Sequence, residues 1–568
     1  MKLILQLLSF SLIVGIVSCT TEEKSVEKKE LIPDAGNGGI TLPENFAAFV
    51  VSDSLGRGRH IAVRDNGDLY IHLRSENENG NSIIALRDTT GDGRADITME
   101  FKGIPGTGIE IHKGFLYYAS RTEIYRVPLV DGELLPSGPI DTLVHMVQGS
   151  GHMEKTFAFD TLSKMYVNIG SQSNACQEVQ RTKGSPGKEP CTELYTRGGI
   201  WKFSDSELHQ QQDSTLIYAT GIRNAVAVAW NPEVQRLFAA QHGRDDLHRF
   251  WPDLYTEEQN IELPAEEFFD LEEGDDMGWP YCYYDQFQKK KLLNPEFGGD
   301  GTIIERCEGK KSPLVAFPGH WAPNDLIFYQ GDLFPERYKN GAFIAWHGSW
   351  NRLGAPQAGY NVAFIPMKDG KPTGDYEIFA NGFMGSEPIE NPTDAVYRPC
   401  GLSEGPDGSL YVVDSQKGRV WRILYYPNGV PEVKAELKSE EKEKETEVTV
   451  SSIPADDPQM VEGAIVYQQI CQACHNEGGK GTPGMNPPLT QTSWVLGDKK
   501  ELIKVVLNGL SEPIEIKGEK FNNAMGALGG ILNDEQIANV LTYVRNSWGN
   551  EASRITAEEV AAVRAENK

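Results

Sequence analysis

The chain has 568 residues, enough for more than one domain with its own hydrophobic core. It contains 54 lysine and arginine residues against 81 aspartate and glutamate residues, so the formal net charge is −27. This acidity argues against nucleic acid or an anionic bilayer surface as a partner, and it is compatible with a neutral substrate or a basic redox protein.

Residues 1–19 have the pattern of a secretory signal, because Lys2 precedes an apolar run over residues 3–17. The ending Ser18-Cys19 resembles a bacterial lipobox, in which the cysteine carries lipid. We therefore expect an exported bacterial lipoprotein, anchored to a membrane through Cys19 on the periplasmic side or at the cell surface. Residues 20–39 are charged and are predicted to be a solvated tether.

Export permits disulfides, and two pairs of cysteines each bracket a loop. We expect Cys176 to pair with Cys191 and Cys282 to pair with Cys307. Cys400 is left over inside a strand-like run, where it is predicted to be a buried small residue.

Residues 40–426 contain a loosely repeated unit of apolar strand, polar turn and second strand. Six copies begin near His60, Ile109, Thr156, Val226, Asp325 and Cys400. Alternating apolar positions with Gly- and Asp-rich turns predict a mainly β fold, which fits a six-bladed β-propeller best. A tandem of β-sandwiches is the alternative.

The rest of the chain is predicted to hold a charged linker, a small all-α domain and a tail. The linker covers residues 427–455, the α domain residues 456–550 and the C-terminal tail residues 551–568. Asp457 before Pro458, the capping box Asp498–Glu501 and the pair Asn533/Gln536 are expected to open its helices.

The motif Cys471-Gln472-Ala473-Cys474-His475 is the attachment signal for haem c. The two thiols bind the porphyrin and the histidine ligates the iron. With its flanking helices, the region resembles a class I cytochrome c domain. That resemblance implies an axial methionine before the last long helix, which matches Met525. Met485, in a proline-rich turn, is the other candidate, and a His/Met pair raises the haem potential relative to two histidines.

Six segments of the β region, in order, resemble the pyrroloquinoline-quinone (PQQ) sugar dehydrogenase family, including its sorbosone and pyranose dehydrogenase branches. They are Gly151-His152-Met153 with 157–160, residues 168–174, residues 218–224, residues 278–282, residues 347–352, and Arg398-Pro399-Cys400-Gly401 with 406–408. The resemblance spans most of residues 45–426. It implies bound PQQ, a flat tricarboxylate quinone.

Several fixed cations suit a tricarboxylate, because arginine presents forked donors to carboxylates. Arg59, Arg223, Arg352 and Arg398 lie at strand ends or loop starts, where a propeller would gather them, and Asn224 follows Arg223. We predict that these five residues bind PQQ.

His152 matches the general base of the family, and its ordinary pKa suits proton abstraction from a hydroxyl. A structural histidine is the alternative, and His320 is the second candidate base. Relatives that oxidise glucose orient this histidine with an acidic residue, whereas this chain has Gly170-Ser171. This difference resembles the sorbosone and pyranose branches and argues against glucose itself as the substrate.

The family also binds Ca²⁺, partly through backbone carbonyls. Residues 241–245 lie at the matching place, so the resemblance implies Gly243 and Arg244 as ligands. Separately, residues 88–96 alternate carboxylates around Gly91. This loop could hold calcium, but it lacks the terminal glutamate of an EF-hand, and a polar hairpin is the favoured interpretation.

These features predict a membrane-anchored quinohaemoprotein. A sugar or related alcohol or aldehyde would be oxidised at PQQ, and electrons would pass through haem c to a respiratory acceptor protein. The alternative is a non-catalytic propeller that binds a glycan or protein and carries an electron-transfer cytochrome.

Overall fold

The structure is a computed structural model that describes residues 31–352, 354–385, 388–431, 457–481, 486–510, 514–516, 519–521 and 525–566. The chain forms two compact units, Met1–Ala435 and Glu436–Lys568. The predicted signal with Cys19, most of the linker and Met485 lie outside the described residues. Within the described ranges, no helix is both long enough and apolar enough to cross a membrane.

Six antiparallel sheets of four main strands build the first unit. Blade 1 has the strands Gly58–Val63, Leu69–Leu73, Ile83–Arg87 and Ile97–Phe101, and blade 2 has Ile109–His112, Phe115–Ala119, Glu123–Pro128 and Asp141–His145, with Gln210–Gln211 added in parallel. Blade 3 has Phe157–Phe159, Lys164–Ile169, Gly199–Ser204 and Ile217–Thr220, and blade 4 has Ala227–Asn231, Arg236–Gln241, Glu266–Leu271 and Val315–Phe317. Blade 5 has Pro323–Phe328, Ala342–Trp346, Asn361–Ile365 and Glu377–Ala380, and blade 6 has Pro399–Glu404, Leu410–Asp414, Val420–Tyr425 and the N-terminal strand Phe46–Ser52.

The first strand of each blade contacts the first strands of its two neighbours, so the sheets close around a central axis. The predicted six-bladed propeller is therefore confirmed, and the β-sandwich alternative is wrong. Each repeated unit forms the first two strands of one blade. Glycine fits the tight turns, as at Gly67, where φ is 91°.

The N-terminal strand closes the ring by pairing with the last strand of blade 6. Phe46 lies opposite Tyr425 and Val50 lies opposite Trp421. The residues before this strand are also packed, because the Asp34 carboxylate accepts a hydrogen bond from the Val50 amide at 2.6 Å. The predicted tether therefore ends before Asp34, earlier than residue 39.

Both predicted disulfides are present. Cys176 is bonded to Cys191, and Cys282 is bonded to Cys307. Cys400 is a free thiol with no solvent exposure, as expected. The long loops of the propeller also carry two short helices and two hairpins: Leu247–Phe250, Glu257–Glu262, Cys282–Asp285 with Lys290–Leu293, and Met367–Lys368 with Lys371–Pro372.

The second unit is mainly helical. Its described α-helices are Pro458–Val466, Gln472–His475, Ser493–Leu496, Lys499–Asn508, Asp534–Arg545 and Ala557–Glu566; a π-helical turn, Tyr467–Cys471, leads into the haem motif, and Ile514–Ile516 pairs with Glu519–Phe521. The segment predicted as a tail belongs to this unit, because Ile555, Val560 and Val563 are buried in its core.

Candidate functional site

A cavity of about 310 Å³ lies at the centre of one face of the propeller. The loops before the first strands and after the second strands of the blades bring its residues together. We call it the central cavity; its lining is Arg59, Arg74, His152, Glu154, Arg181, Arg223, Asn224, Val226, His242, Gly243, Asp245, Glu266, His320, Ala322, Asn324, His347, Trp350 and Arg398. Four of the five residues predicted to bind PQQ are in this set.

The arginines of the central cavity are held by neighbouring backbone and side-chain oxygens. Arg223 donates to the Gly243 carbonyl at 2.7 Å and to the Asp245 carboxylate at 2.8 Å. Arg398 donates to the carbonyls of His347 and Gly348 at 2.9 and 2.6 Å. The Nε atom of Arg223 is buried without a hydrogen-bond partner. Arginines that are held in place and still have N–H groups without a partner suit a ligand that carries carboxylates.

Asp245 holds several of these side chains, a role that the sequence interpretation missed. Its carboxylate accepts hydrogen bonds from Arg223, from Arg181 at 3.1 Å and from Asn351 at 2.8 Å. Burial is the largest single effect and opposes its ionisation, but Arg223, His320, Arg181 and His152 together outweigh burial and lower the pKa of Asp245 to about 2. Asp245 lies within residues 241–245, which were singled out only for backbone carbonyls, so no signal pointed to its side chain.

Positive charge exceeds negative charge in the central cavity. Five arginines line it, together with the carboxyl groups of Glu154, Asp245 and Glu266. Burial raises the pKa of Glu266 to about 8, so this carboxyl is mostly neutral at pH 7. The residues present therefore fit an anionic ligand such as PQQ.

His152 reaches the central cavity from the loop before the third blade. Its Nδ1 lies 2.9 Å from the Ser171 carbonyl oxygen and 3.0 Å from the Ser171 hydroxyl. Burial, and after it the charge of Arg223, lowers the pKa of His152 to about 3. A neutral imidazole with Nδ1–H donated to Ser171 leaves Nε2 as a proton acceptor.

Three further histidines line the central cavity. His320, the second candidate base, is bound through Nε2 to the Asn260 carbonyl at 2.8 Å. His242 and His347 were not predicted as site residues. Burial lowers the pKa of His242 to about 4 and that of His347 well below its ordinary value, so both imidazoles are neutral. Both lie in segments that carry the family resemblance, residues 241–245 and 347–352, so the sequence contained a signal for these two histidines.

The structure does not bring Arg352 or the Arg244 side chain into the lining of the central cavity. Arg352 donates to Glu262 at 2.7 Å, and its Nε and Nη1 atoms are buried without partners. Arg244 forms an ion pair with Glu296, and both side chains are almost fully buried. In each case a nearby glutamate provides the counter-charge.

The calcium predictions fall into two cases. Gly243 lines the central cavity, where its carbonyl accepts the hydrogen bond from Arg223. In the loop of residues 88–96, Asp88 accepts from the amides of Gly91 and Gly93, each at 2.7 Å, and Asp96 accepts from Thr89. These carboxylates are used within the loop, which favours the polar hairpin. Among the described residues, no group of three or more His, Cys, Asp or Glu side chains forms a metal cluster.

The second unit contains a separate, mainly apolar cavity of about 220 Å³. Cys471, Cys474, His475 and Met525 line it, and the two cysteines are free thiols. The Nδ1 atom of His475 donates to the Pro487 carbonyl at 2.9 Å, which leaves Nε2 for a metal. Free thiols, an oriented imidazole and a thioether in an apolar cavity fit haem c.

Comparisons with known proteins agree with this division. The profile of the TrAA12-like family matches residues 40–425, and that of cytochrome c matches residues 460–548. The chain is 40% identical over 114 residues to cytochrome c-552 of Thermus thermophilus, covering 18% of this chain and 85% of that protein. It is 25% identical over 330 residues to an uncharacterized protein of Borreliella burgdorferi, covering 56% of this chain and 75% of that protein.

Two solved structures share the propeller fold. The PQQ domain of pyranose dehydrogenase from Coprinopsis cinerea has a TM-score of 0.54 at 19% identity, covering 68% of this chain and 97% of that one. The calcium structure of a Trichoderma reesei enzyme of carbohydrate-active family AA12 has a TM-score of 0.56 at 16% identity, covering 71% and 100%. The chain thus belongs to the TrAA12-like family through its propeller, carries a cytochrome c domain after it in sequence, and is an oxidoreductase.

Proposed function

We propose that this protein oxidises a sugar, or a related alcohol or aldehyde, with PQQ held in the central cavity. Electrons pass from there to haem c in the cytochrome domain and then to a respiratory acceptor protein. The observation that carries the proposal is the meeting of His152 with Arg59, Arg223 and Arg398 in one cavity. The PQQ domain of pyranose dehydrogenase from Coprinopsis cinerea shares this fold, which supports the choice of cofactor.

The residues of the central cavity have distinct tasks in this proposal. The arginines and Asn224 hold the carboxylates of the cofactor. PQQ, when bound, supplies an electrophilic carbonyl that accepts hydride from a carbon bearing a hydroxyl group. His152 removes the hydroxyl proton at Nε2, and the Ser171 carbonyl keeps the imidazole in the tautomer that allows this. Calcium at the backbone of Gly243 and Arg244 is part of the proposal.

The cytochrome domain is proposed to bind its haem through the two cysteines, with His475 and Met525 as the side chains that would hold the iron. Haem c supplies single-electron transfer when bound. His475 is 8% exposed, so water has little access to this ligand. Buried His/Met ligation favours a potential suited to accepting electrons from an organic donor.

Export and attachment through lipidated Cys19 complete the proposal, with the propeller over residues 40–426, the linker over 427–455 and the cytochrome domain from 456. Any acceptor is then reached outside the cytoplasm. Globomycin treatment and mass spectrometry of the mature N-terminus test this part of the proposal, which expects a lipidated Cys19 as the first residue. An uncleaved chain with no lipid on Cys19 would reject it.

Reconstitution tests the central claim. Haem-loaded full chain is incubated with PQQ and Ca²⁺, separated from free PQQ, and mixed with a panel of aldoses under argon while haem reduction is followed by absorbance. We expect reduction with at least one sugar. Arg398→Ala should weaken PQQ retention, whereas Lys164→Ala, at the exposed start of the second strand of blade 3, should not.

The competing hypothesis of a non-catalytic propeller predicts a different result. PQQ would then wash off the wild-type protein as it does from the Arg398→Ala variant, and haem would stay oxidised with every sugar. That outcome rejects the proposed function.

A further inference from the structure

A second, open groove lies beside the central cavity, between blades 1 and 2. Its volume is about 500 Å³. We call it the side groove; its lining is Arg74, Ser75, Glu76, Ile104, Pro105, Ser120, Arg121, Thr122, Glu123 and Tyr125. Arg74 lines both spaces, so the side groove opens directly beside the central cavity. Its loops follow second strands or precede a first strand, which places the groove on the same face of the propeller.

One wall of the side groove is the turn of residues 120–123. The Ser120 hydroxyl accepts the Glu123 amide at 3.0 Å, and the Thr122 carbonyl accepts the Met146 amide at 2.7 Å. His145 donates from Nδ1 to the Glu123 carboxylate at 2.9 Å. This wall is therefore fixed before any ligand arrives, which reduces the entropic cost of binding.

The opposite wall is anchored from below by a buried histidine. The Nε2 atom of His72, which has no solvent exposure, lies 2.8 Å from the Ile104 carbonyl oxygen. The Gly106 amide donates to the Leu73 carbonyl at 3.0 Å. Ile104 itself is 44% exposed, so its side chain offers an apolar surface to the groove.

The groove combines free polar groups with this apolar surface. Within the described part of the chain, the side chains of Ser75, Glu76 and Arg121 have no hydrogen bond or ion pair. Arg74 and Arg121 are balanced by Glu76 and Glu123, so the lining carries no net formal charge. A neutral ligand with many hydroxyl groups and apolar C–H faces fits such a lining better than an ion does.

We propose that the side groove is an extension subsite that binds the second sugar unit of an oligosaccharide whose oxidised end unit occupies the central cavity. This inference rests on the proposed function. It makes the preferred substrate a disaccharide or longer chain, because a monosaccharide in the central cavity leaves the side groove without contacts. Arg121 and Glu76 donate to and accept from hydroxyl groups, and Ile104 packs against a sugar face.

Kinetics on matched sugars test the subsite. Initial rates of haem reduction by the PQQ- and Ca²⁺-loaded full chain are compared for xylose, xylobiose and xylotriose, and for galactose and β-1,4-galactobiose, so that the end unit to be oxidised is the same within each set. We expect kcat/KM to rise about tenfold from mono- to disaccharide, as one or two added hydrogen bonds give. Arg121→Ala should reduce the disaccharide value toward the monosaccharide value and leave the monosaccharide unchanged. Lys164→Ala, on the opposite face, should change neither.

Calorimetric binding of the same sugars distinguishes failure of the subsite from failure of the proposed function. If monosaccharides and disaccharides react equally well, or Arg121→Ala slows both equally, the subsite is rejected while the proposed function stands. If no sugar reduces haem, the proposed function fails. Disaccharide binding that is lost in Arg121→Ala would then still support the side groove as a sugar-binding site, and absence of such binding rejects that as well.

Discussion

The carbonyl oxygen of Ser171 lies 2.9 Å from Nδ1 of His152 and takes the place of an acidic orienting residue. Gly170 permits this arrangement, because a Cβ atom there would lie 2.7 Å from the His152 Cβ and 2.6 Å from the Asn224 side-chain oxygen. A neutral acceptor fixes the tautomer of the imidazole without adding negative charge to a cavity that is proposed to hold an anion.

Removing the His152 imidazole should abolish most turnover. We expect His152→Ala to lower kcat by about 10²- to 10⁴-fold, the usual contribution of a general base, while PQQ retention and the haem spectrum stay unchanged. Ser171→Ala should cost only a few-fold, since the backbone carbonyl remains. Haem reduction by a sugar substrate measures both. Wild-type rates in His152→Ala, with loss of rate in His320→Ala, would move the role of base to His320.

The pH dependence of the reaction should lack an acid limb near the ordinary histidine pKa. Burial and Arg223 lower the pKa of His152 to about 3, so the base is already neutral at pH 5. We therefore expect kcat/KM to stay level from pH 7, where Glu266 is still mostly neutral, down to about pH 5. Rates measured with preloaded enzyme at constant ionic strength check this; a tenfold loss per pH unit starting near 6.5 would contradict it.

Local patterns in the sequence predicted the blades well and the charge network poorly. A turn such as the one at Gly67 can be predicted from its residue types, and a turn of this kind joins the first two strands of each repeated unit. Closure by Phe46–Ser52 depends on pairing across nearly the whole propeller, which no local pattern records. Asp245 and Arg352 are single charges whose partners come from distant loops, so one was missed and the other was expected in the central cavity.

Lys155 should destabilise the propeller at neutral pH. Its side chain is 1% exposed, and its ammonium has one acceptor, the Met153 carbonyl at 3.1 Å. Burial, and after it Arg197, lowers its pKa to about 7 from an ordinary 10.5. The unfolded chain therefore binds more protons than the folded one between these values, and stability should rise with pH across that window.

Lys155→Met is expected to raise the free energy of unfolding at pH 7 by about 1–4 kcal/mol and to remove most of this pH dependence. Thermal unfolding of the propeller, followed by circular dichroism at pH 7 and pH 9.5, measures both effects. Lys164→Met, an exposed lysine of the same blade, provides the control. A variant less stable than wild type at both pH values would show that the ammonium is stabilising.

Met525 should ligate the haem iron through sulfur. Its backbone is held by two hydrogen bonds with Leu510, of 2.8 and 3.0 Å, and its side chain lines the same cavity as His475. Met525→Ala should abolish the sulfur-to-iron absorption band of the oxidised protein and lower the haem potential. Met485→Ala should leave both unchanged. A band that survives the first change and disappears in the second would assign the ligand to Met485.

The cytochrome fold depends on close contact between its helices Pro458–Val466 and Asp534–Arg545. At Gly463, an added Cβ atom would lie 2.2 Å from the Asn539 carbonyl oxygen and 2.7 Å from the Tyr543 Cβ. Alanine favours an isolated helix by about 1 kcal/mol over glycine, so the sign of Gly463→Ala separates propensity from packing.

The Asn539 carbonyl oxygen and the Tyr543 Cβ are both fixed to the backbone of the neighbouring helix, so neither can move aside alone. We therefore expect the cost of overpacking to exceed the gain in helix propensity. Gly463→Ala should lower the stability of the cytochrome domain by about 1–3 kcal/mol, read from thermal loss of the Soret band. Gly530→Ala, in a turn of the same domain, is the control, since no atom lies within 4 Å of its added Cβ. A Gly463→Ala protein as stable as this control would mean that the two helices can move apart at little cost in free energy. The cytochrome fold would then not depend on their close contact.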